Sequence, residues 1–167
     1  MVTATAWAVA AGTPDPELPM LTVADLGILR DVEQEGNAVV VTITPTYSGC
    51  PALPEIAADL RHRLGTAGFA PVEVRTRLAP AWTSDWITAD GRRKLEQAGI
   101  APPGPATRRT GPVPLTLLTG PTSGPTVTCP QCGSRLTTRT AQFGATACKA
   151  LYRCENCHEP FEYVKEI

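Results

Sequence analysis

Cys129-Pro-Gln-Cys132 and Cys154-Glu-Asn-Cys157 decide the fold of the C-terminal part of this sequence, and 21 residues separate the two pairs. Two residues between cysteines let both thiolates of a pair reach one tetrahedral ion at about 2.3 Å. Because cysteines fill all four positions, the spacing predicts a closed, structural zinc site that folds a small ribbon. An iron or iron-sulfur centre on the same thiolates is the main alternative.

Metal binding is needed for the stability of this ribbon. A module of about 40 residues buries too little surface to be stable alone, and metal binding supplies roughly 10 kcal/mol or more of folding free energy. The segment 127–167 carries five basic and four acidic side chains, a weak electrostatic footprint for nucleic acid. A nucleic-acid-binding ribbon is therefore the less favoured reading.

Two further potential ligands lie in the same module. Cys148 precedes Cys154 by six residues and has no partner at metal-ligand spacing, so we expect a small buried hydrophobe. His158 follows Cys157 directly. With four cysteines available, we expect it to donate an outer hydrogen bond or to face solvent rather than to replace a ligand.

Composition divides the rest of the chain. Residues 100–126 are rich in proline and glycine, with seven prolines and four glycines between 102 and 126, which is typical of a semi-extended linker. Residues 1–99 have the composition of one compact domain. We therefore expect an α+β domain over 1–99, a linker over 100–126 and the ribbon over 127–167.

Charge and hydropathy exclude several classes of function. The formal net charge is -1, which gives no general attraction to nucleic acid or to an anionic membrane. No apolar stretch approaches the roughly 20 residues that span a bilayer, and the run 4–11 is a weak match to a signal peptide. Paired cysteines without a signal peptide favour metal over disulfides, so we expect a cytoplasmic protein.

The first domain has the pattern β-β-α-β-α after a short helical turn, Thr22–Gly27. Two alternating segments, 28–33 and 38–44, flank Glu35-Gly-Asn37 and predict an antiparallel hairpin. Apolar residues recur at helical spacing from Leu53 to Leu64, a third strand is expected over 72–78, and Thr88 is placed as the N-cap of a final helix that ends at Gln97. These elements predict a small α+β fold.

Cys50 is the candidate reactive thiol. It lies in Thr46-Tyr-Ser-Gly-Cys-Pro51, and Pro51 suits the first turn of the following helix. A sulfur at the helix N-terminus is favoured as thiolate, which binds soft metals or attacks electrophiles. A space-filling cysteine beside the helix is the equally open alternative.

A tryptophan loop, Trp82-Thr-Ser-Asp-Trp86, combines two large aromatics with Asp85. Such a loop forms a pocket rim or a partner surface, or it packs its tryptophans onto the sheet. Neither histidine lies beside an uncommitted serine or cysteine nucleophile, so the sequence positions indicate no catalytic triad.

Several segments carry a family resemblance. The first domain resembles the metal-sulfur cluster biosynthesis family in three segments: Asp15-Pro-Glu-Leu-Pro19, Val23-Ala-Asp-Leu-Gly27 and the segment that contains Cys50. Three further segments narrow this likeness to one family: the tryptophan loop, Phe143-Gly-Ala-Thr-Ala-Cys-Lys-Ala-Leu-Tyr-Arg-Cys154 and Pro160-Phe-Glu-Tyr163. Together they resemble the D-component family of bacterial phenylacetyl-CoA epoxidase systems, the ring-1,2-epoxidases of aerobic phenylacetate breakdown.

The resemblance implies an accessory role in iron-sulfur cluster or metal-centre maturation, with the oxygenase and reductase subunits as partners. It implies a domain of the iron-sulfur cluster assembly type and a structural zinc ion, and it makes Cys50 a transient ligand of iron or a cluster. One sulfur does not hold a cluster alone, so a homodimer sharing two such thiolates, or ligands from a partner, would be needed. The alternatives are a non-catalytic docking subunit and a thiol enzyme. The possible supporting residues are Glu17, Asp25, Trp82, Asp85, Trp86 and Cys148.

Overall fold

The computed structural model describes residues 2–106 and 125–167 of the chain. It divides into two compact units, Met1–Lys94 and Leu95–Ile167, which are described separately below. The central part of the expected linker, residues 107–124, lies outside the described residues. Within the described ranges, no helix is both long and apolar enough to cross a membrane.

The first unit contains the predicted β-β-α-β-α order, and the α+β class is confirmed. Its strands are β1 (Leu29–Glu35), β2 (Ala38–Ile43) and β3 (Val72–Thr76), and its main helices are α2 (Leu53–Thr66) and α3 (Ala89–Gln97). An additional helix, α1 (Val2–Ala11), precedes them. It covers the apolar run at 4–11 that the sequence pattern left without an element.

The three strands form one sheet in the order β1-β2-β3. β1 and β2 are the predicted antiparallel hairpin, in which Glu35 pairs with Ala38 across a two-residue turn. β3 runs parallel to β2, with Val39 opposite Val72. Every residue of β2 from Val39 to Ile43 is buried, so the central strand is covered on both faces rather than on the one face that the alternation predicted.

Helix α2 packs one apolar stripe against β3 and α1. Ile56, Leu60 and Leu64 recur at every fourth position and are buried, as predicted from the sequence. Burial of each such side chain contributes about 1.5–3 kcal/mol. Helix α3 begins directly after its predicted cap, because Thr88 Oγ1 accepts a hydrogen bond from the Gly91 amide at 2.9 Å.

The second unit is a four-stranded sheet in the order β4-β7-β6-β5. β5 (Thr137–Ala141), β6 (Lys149–Cys154) and β7 (Pro160–Val164) are antiparallel, and β4 (Ile100–Ala101) runs parallel to β7. Tyr152 stacks on Phe161 and meets Tyr163 edge-on, with ring centroids 5.9 and 5.5 Å apart. The buried cluster is small and includes two of the paired cysteines: Ala101, Val127, Cys129, Ala150, Tyr152, Cys154, Phe161 and Tyr163.

Candidate metal centre and the Cys50 loop

The two cysteine pairs meet at one point of the second unit. The sulfur atoms of Cys129, Cys132, Cys154 and Cys157 all lie within 4.8 Å of one another. The distance is 3.8 Å between the Cys129 and Cys157 sulfurs and 3.6 Å between the Cys132 and Cys154 sulfurs. A tetrahedron with metal–sulfur bonds of 2.3 Å has edges of about 3.8 Å. The four sulfurs therefore fit one tetrahedral ion.

Each pair sits on a tight backbone turn, called a knuckle below, and the two knuckles are built alike. In the first, the Cys129 amide donates to the carbonyl of Ser134, five residues on, at 2.9 Å. In the second, the Cys154 amide donates to the carbonyl of Glu159, also five residues on, at 3.0 Å. The same backbone hydrogen bond thus closes both turns and holds each pair of sulfurs on one side.

The residue after the second cysteine of each knuckle has a left-handed backbone. Gly133 follows Cys132 with φ of 73°, and His158 follows Cys157 with φ of 63°. A left-handed conformation is easy for glycine and costly for a residue with a Cβ. The His158 side chain is exposed and is not part of the four-sulfur group, so it does not replace a ligand.

The two thiols of the second knuckle differ in pKa when no cation is bound. Amide hydrogen bonds, first from Cys157 and then from Asn156, lower the pKa of Cys154 to about 6. A backbone hydrogen bond at Glu159 favours the Cys157 thiolate, but desolvation and the neighbouring sulfurs raise the pKa of Cys157 to about 12. A bound cation would favour the thiolate form of all four cysteines.

The four-cysteine group is coordinatively complete. Cys129 and Cys154 are buried, Cys157 is half-buried and Cys132 is exposed. Four protein sulfurs leave no open position for water or substrate, which is typical of a structural site. Across residues 2–106 and 125–167, this is the one group of three or more histidine, cysteine or acidic side chains whose ligand atoms converge.

Cys148 lies outside this group. It is half-buried, and its sulfur is 3.1 Å from the hydroxyl of Thr146, within hydrogen-bonding distance. Its carbonyl accepts from the Lys165 amide at 2.9 Å. The structure therefore places Cys148 in the ribbon without making it a ligand of the metal site.

Cys50 lies in the loop between β2 and α2 and is half-buried. Its amide donates to the Tyr47 carbonyl at 3.1 Å, and its carbonyl accepts from the Leu53 amide at 3.3 Å. α2 begins at Leu53, and Pro54 rather than Pro51 occupies its first turn. The expected position of Pro51 is wrong, because a separate tight turn precedes the helix. Cys50 thus lies two residues further from the start of the helix than predicted, where the dipole acts more weakly.

The acidic residues near the N-terminus hold turns together. The Asp25 carboxylate accepts from the Thr22 amide at 2.9 Å and pairs with the Lys94 ammonium at 2.8 Å. The Asp15 carboxylate, only 6% exposed, accepts from the amides of Glu17 and Leu18 at 2.9 and 2.8 Å. The sequence Asp15-Pro-Glu-Leu-Pro19 indicates a rigid turn, but the hydrogen bonds by which the Asp15 side chain closes that turn were not predicted.

The tryptophan loop is divided between core and surface. Trp82 is 4% exposed and donates from its ring nitrogen to the Leu26 carbonyl at 2.9 Å. Trp86 is half-buried, with the Arg30 guanidinium 3.7 Å above its ring, and Asp85 is exposed. Trp82 therefore belongs to the packing of the domain rather than to a pocket rim.

Fold and site together define a two-module protein, an α+β domain of the iron-sulfur assembly type followed by a four-cysteine ribbon. Residues 8–75 match the family model for an iron-sulfur cluster assembly protein. Residues 117–165 match the model for the PaaD zinc beta ribbon domain. The resemblance drawn from the sequence motifs is confirmed for both modules.

The chain is also similar to a known protein along almost its whole length. It is 47% identical over 161 residues to an Escherichia coli (strain K12) protein described as the D component of 1,2-phenylacetyl-CoA epoxidase, covering 96% of this chain and 91% of that protein. This chain belongs to that D-component family.

About half of the chain also matches other proteins. The chain is 31% identical over 83 residues to a Porphyromonas gingivalis (strain ATCC BAA-308 / W83) Fe-S protein maturation auxiliary factor, covering 48% of this chain and 78% of the factor. The crystal structure of a domain of unknown function, DUF59, from Bacillus anthracis superposes with a TM-score of 0.52 at 28% identity, covering 56% of this chain and 90% of that one. The assembly-type fold of the first unit is thus confirmed.

Proposed function

We propose that this chain is an accessory subunit of a phenylacetyl-CoA epoxidase system, where it helps to mature or maintain an iron-sulfur cluster or another metal centre of the complex. Two likenesses on one chain support the proposal, one to the epoxidase D component along nearly the whole sequence and one to an Fe-S maturation factor over 83 residues. Its partners are then the oxygenase and reductase subunits, in a cytoplasmic, reducing compartment that keeps its thiols reduced.

The observation that carries the accessory role is the closed metal site. Metal-dependent epoxidation requires a centre with a free coordination position for oxygen or substrate, and four protein sulfurs leave none. No second converging ligand group is found in the described residues. We therefore assign the oxygenase chemistry to partner chains and a folding role to the ribbon site. Zinc is the proposed resident ion, since it favours a tetrahedral four-thiolate site without redox activity.

We propose that the Cys50 thiol is a transient ligand for iron or a cluster. It is half-buried, it lies in a loop rather than in the core, and it is not part of the four-sulfur group. A thiolate is a suitable soft ligand for iron during transfer. A single sulfur does not hold a cluster by itself, so another protein of the complex or a second copy must supply the other ligands.

Complementation tests this role in a phenylacetate-degrading strain that lacks the protein. We expect wild type and Cys50→Ser folds to be equally stable, but only wild type to restore epoxidase activity. Cys148→Ser is the matched control, since it changes another half-buried cysteine outside the metal site, and it should restore activity fully. Full rescue by Cys50→Ser would contradict the thiol mechanism and leave a docking role.

The docking alternative has support of its own in the ribbon. Leu136 is 69% exposed and Phe143 is 59% exposed, and both are large apolar side chains. Trp82 is buried and contributes nothing to such a surface. If the protein acts by docking alone, Leu136→Asp and Phe143→Asp should abolish co-purification with the oxygenase while Cys50→Ser leaves both binding and activity intact.

A further inference from the structure

Strand β3 forms one edge of the sheet in the first unit. The strand order is β1-β2-β3, and among the helices and strands of the described chain β3 contacts only β2 and α2. Its register with β2 is regular along all of its residues, Val72–Thr76. An edge strand presents a row of unpaired backbone N–H and C=O groups, which is a template for a further strand.

The hydrogen bonds to β2 show which backbone groups of β3 point outwards. The Val39 amide donates to the Pro71 carbonyl at 2.9 Å, and the Arg77 amide donates to the Ile43 carbonyl at 2.9 Å. Since the hydrogen-bonding groups of a strand alternate in direction, the odd-numbered residues of this segment bond to β2. The N–H and C=O groups of the even-numbered residues therefore point away from the sheet, at Val72, Val74 and Thr76.

The charged side chains of β3 are symmetric about the middle of the strand. Glu73 and Arg75 flank Val74, and their side chains are 54% and 44% exposed. The Arg75 guanidinium contacts the Glu73 carboxylate at 2.8 Å, so both charges lie on one face of the edge. An antiparallel copy of β3 centred on Val74 would place each glutamate opposite the arginine of the other copy. Opposite charges at directly paired positions stabilise a sheet.

Other two-fold registers of the same strand bring like charges together. An axis at Glu73 pairs that glutamate with itself, and an axis at Arg75 pairs two copies of the arginine. An axis at Thr76 pairs Arg75 with Arg77. Of the registers centred on residues 73 to 76, the one at Val74 alone avoids a like-charge pair. The sequence of the edge therefore selects one register of self-pairing.

The opposite edge of the sheet is protected against pairing. β1 contains three acidic residues and one basic residue, Asp31, Glu33, Glu35 and Arg30. Its register with β2 is also irregular between Leu29 and Asp31. An excess of one charge and a bulge both hinder the addition of a strand. The balanced and regular edge at β3 is therefore the one that fits a second copy of this chain.

We propose that β3 is a self-association edge, to which β3 of a second copy adds as an antiparallel strand with Val74 on the two-fold axis. The outward-facing groups of the two strands then exchange about six backbone hydrogen bonds. The same patch serves both copies, so the assembly closes as a dimer. The two loops that carry Cys50 follow β2 and begin at opposite ends of the joined sheet. This dimer is therefore distinct from one in which two Cys50 thiolates share a cluster.

The expected dimer is weak. A strand of five residues is about 17 Å long, so the contact buries less than the roughly 800 Å² per partner of a standard interface. The dimer should therefore form and dissociate with protein concentration. This inference does not depend on the proposed function.

Sedimentation velocity on the full-length, metal-loaded chain tests the proposal, from low micromolar to several hundred micromolar protein. We expect wild type to shift from monomer to dimer. Glu73→Arg and Arg75→Glu each place like charges opposite one another, and each should weaken the dimer about tenfold. The double variant Glu73→Arg/Arg75→Glu restores opposite charges and should dimerise within about threefold of wild type. Glu33→Arg makes the same charge change on exposed β1 and should match wild type.

A proline at the centre of the strand provides a second test that does not involve charge. Val74→Pro removes an outward N–H group, keeps the hydrogen bonds to β2 and is of a kind tolerated in edge strands. We expect the folded variant to stay monomeric at the highest concentration. Urea unfolding checks that every variant is folded, and Val74→Pro decides the case if a charge variant is not.

Three results would overturn the proposal. One is a wild-type chain that stays monomeric at the highest concentration, which would leave the edge to another protein or to residues 107–124. Another is a dimer that the single charge variants or Val74→Pro form as tightly as wild type, which would place the interface elsewhere. The third is a double charge variant that dimerises no better than the single variants, which would exclude the register centred on Val74.

Discussion

His158 adopts the backbone conformation that glycine provides in the other half of the metal site. Both knuckles need a left-handed residue after their second cysteine, and the first one uses Gly133. The second places a Cβ in a region where ordinary residues lose about 1–2 kcal/mol. Since the imidazole is exposed and is not part of the four-sulfur group, the strain at this position is not offset by ligation.

We therefore expect His158→Gly to stabilise the metal-loaded ribbon by up to about 1 kcal/mol, because relief of strain exceeds the extra entropy of a glycine in the unfolded chain. The gain should appear as a higher midpoint of thermal unfolding of the ribbon. His158→Ala retains the Cβ and should show no such gain. An equal gain from alanine would mean that the imidazole, and not the backbone, is unfavourable here.

Two independent features, its backbone conformation and its close packing, require glycine at position 27. Its φ is 68°, and a Cβ at this position would lie 2.6 Å from the Cβ and the carbonyl oxygen of Trp86. Gly36 in the hairpin turn has a φ of 62° and no atom within 4 Å of such a Cβ. A comparison of substitutions at Gly27 and Gly36 therefore separates the effect of backbone strain from the effect of close packing.

Gly27→Ala should destabilise the first unit by about 2–4 kcal/mol, from left-handed strain plus overpacking. Gly36→Ala should cost no more than about 1 kcal/mol, since only the strain applies. Urea unfolding of both variants measures the difference. Equal destabilisation would show that the Trp86 loop shifts freely and does not pack against Gly27.

The four metal ligands were predictable from sequence, whereas most partners in the first unit were not. A ligand pair is local, with two residues between cysteines, so its spacing alone indicates the geometry. The contacts of Trp82 with Leu26 and of Asp25 with Lys94 join residues 56 and 69 positions apart. Such contacts depend on the whole fold, which explains why a pocket rim was considered for a tryptophan that is in the core.

At the scale of elements, the turn Thr22–Gly27 is joined to α3 through Asp25. Burial opposes ionisation of this carboxyl group, but hydrogen bonds from Lys94 and Thr22 hold its pKa below the usual value. The Asp25 carbonyl also accepts from the Thr88 amide at 2.9 Å, at the start of α3. One residue therefore fixes the turn and the helix N-terminus together.

A pKa that is lower in the folded state means that ionised Asp25 stabilises the fold above about pH 4 and that this contribution is lost as pH falls through the folded-state pKa. Asp25→Asn should cost about 1–2 kcal/mol near neutral pH, and the difference from wild type should vanish in acid. Urea unfolding between pH 7 and pH 2.5 measures it. Asp90→Asn, at the exposed second partner of Lys94, should have a much smaller effect, and a pH-independent loss in Asp25→Asn would contradict the ion-pair account.

Elements with strong periodicity were predicted, and those without it were not. The hairpin and the apolar stripe of α2 follow directly from alternation and from four-residue spacing. α1 has neither a polar face nor a recognisable cap, so its sequence carries no helical period. β2 was predicted as a strand, but as one buried on a single face, whereas the structure buries it on both faces.

On the scale of the whole molecule, the two units depend on metal differently. The ribbon core is a small cluster to which two ligands, Cys129 and Cys154, themselves belong. The first unit has its own core around β2 and α2, and no described group of converging ligands lies in it. Its stability should therefore be independent of metal.

Removal of the ion with a strong chelator should unfold the ribbon and leave the first unit folded, because metal binding supplies most of the folding free energy of so small a module. Calorimetry should then show one transition in place of two, and returning zinc should restore the second. Elemental analysis of gently purified protein should find one metal ion per chain. Unchanged calorimetry after complete metal removal would contradict the structural role of the site.

The central claim is that this chain serves a metal centre on another protein of the complex. The most direct test takes an iron-sulfur cluster of the reductase as the proposed client and measures the iron and acid-labile sulfide content of that subunit. The reductase is purified from cells with wild-type protein, with no protein, and with Cys50→Ser. We predict a full cluster with wild type and a largely empty one in the other two, with equal amounts of reductase polypeptide. A fully occupied cluster in cells that lack the chain would contradict the proposed maturation role at the reductase.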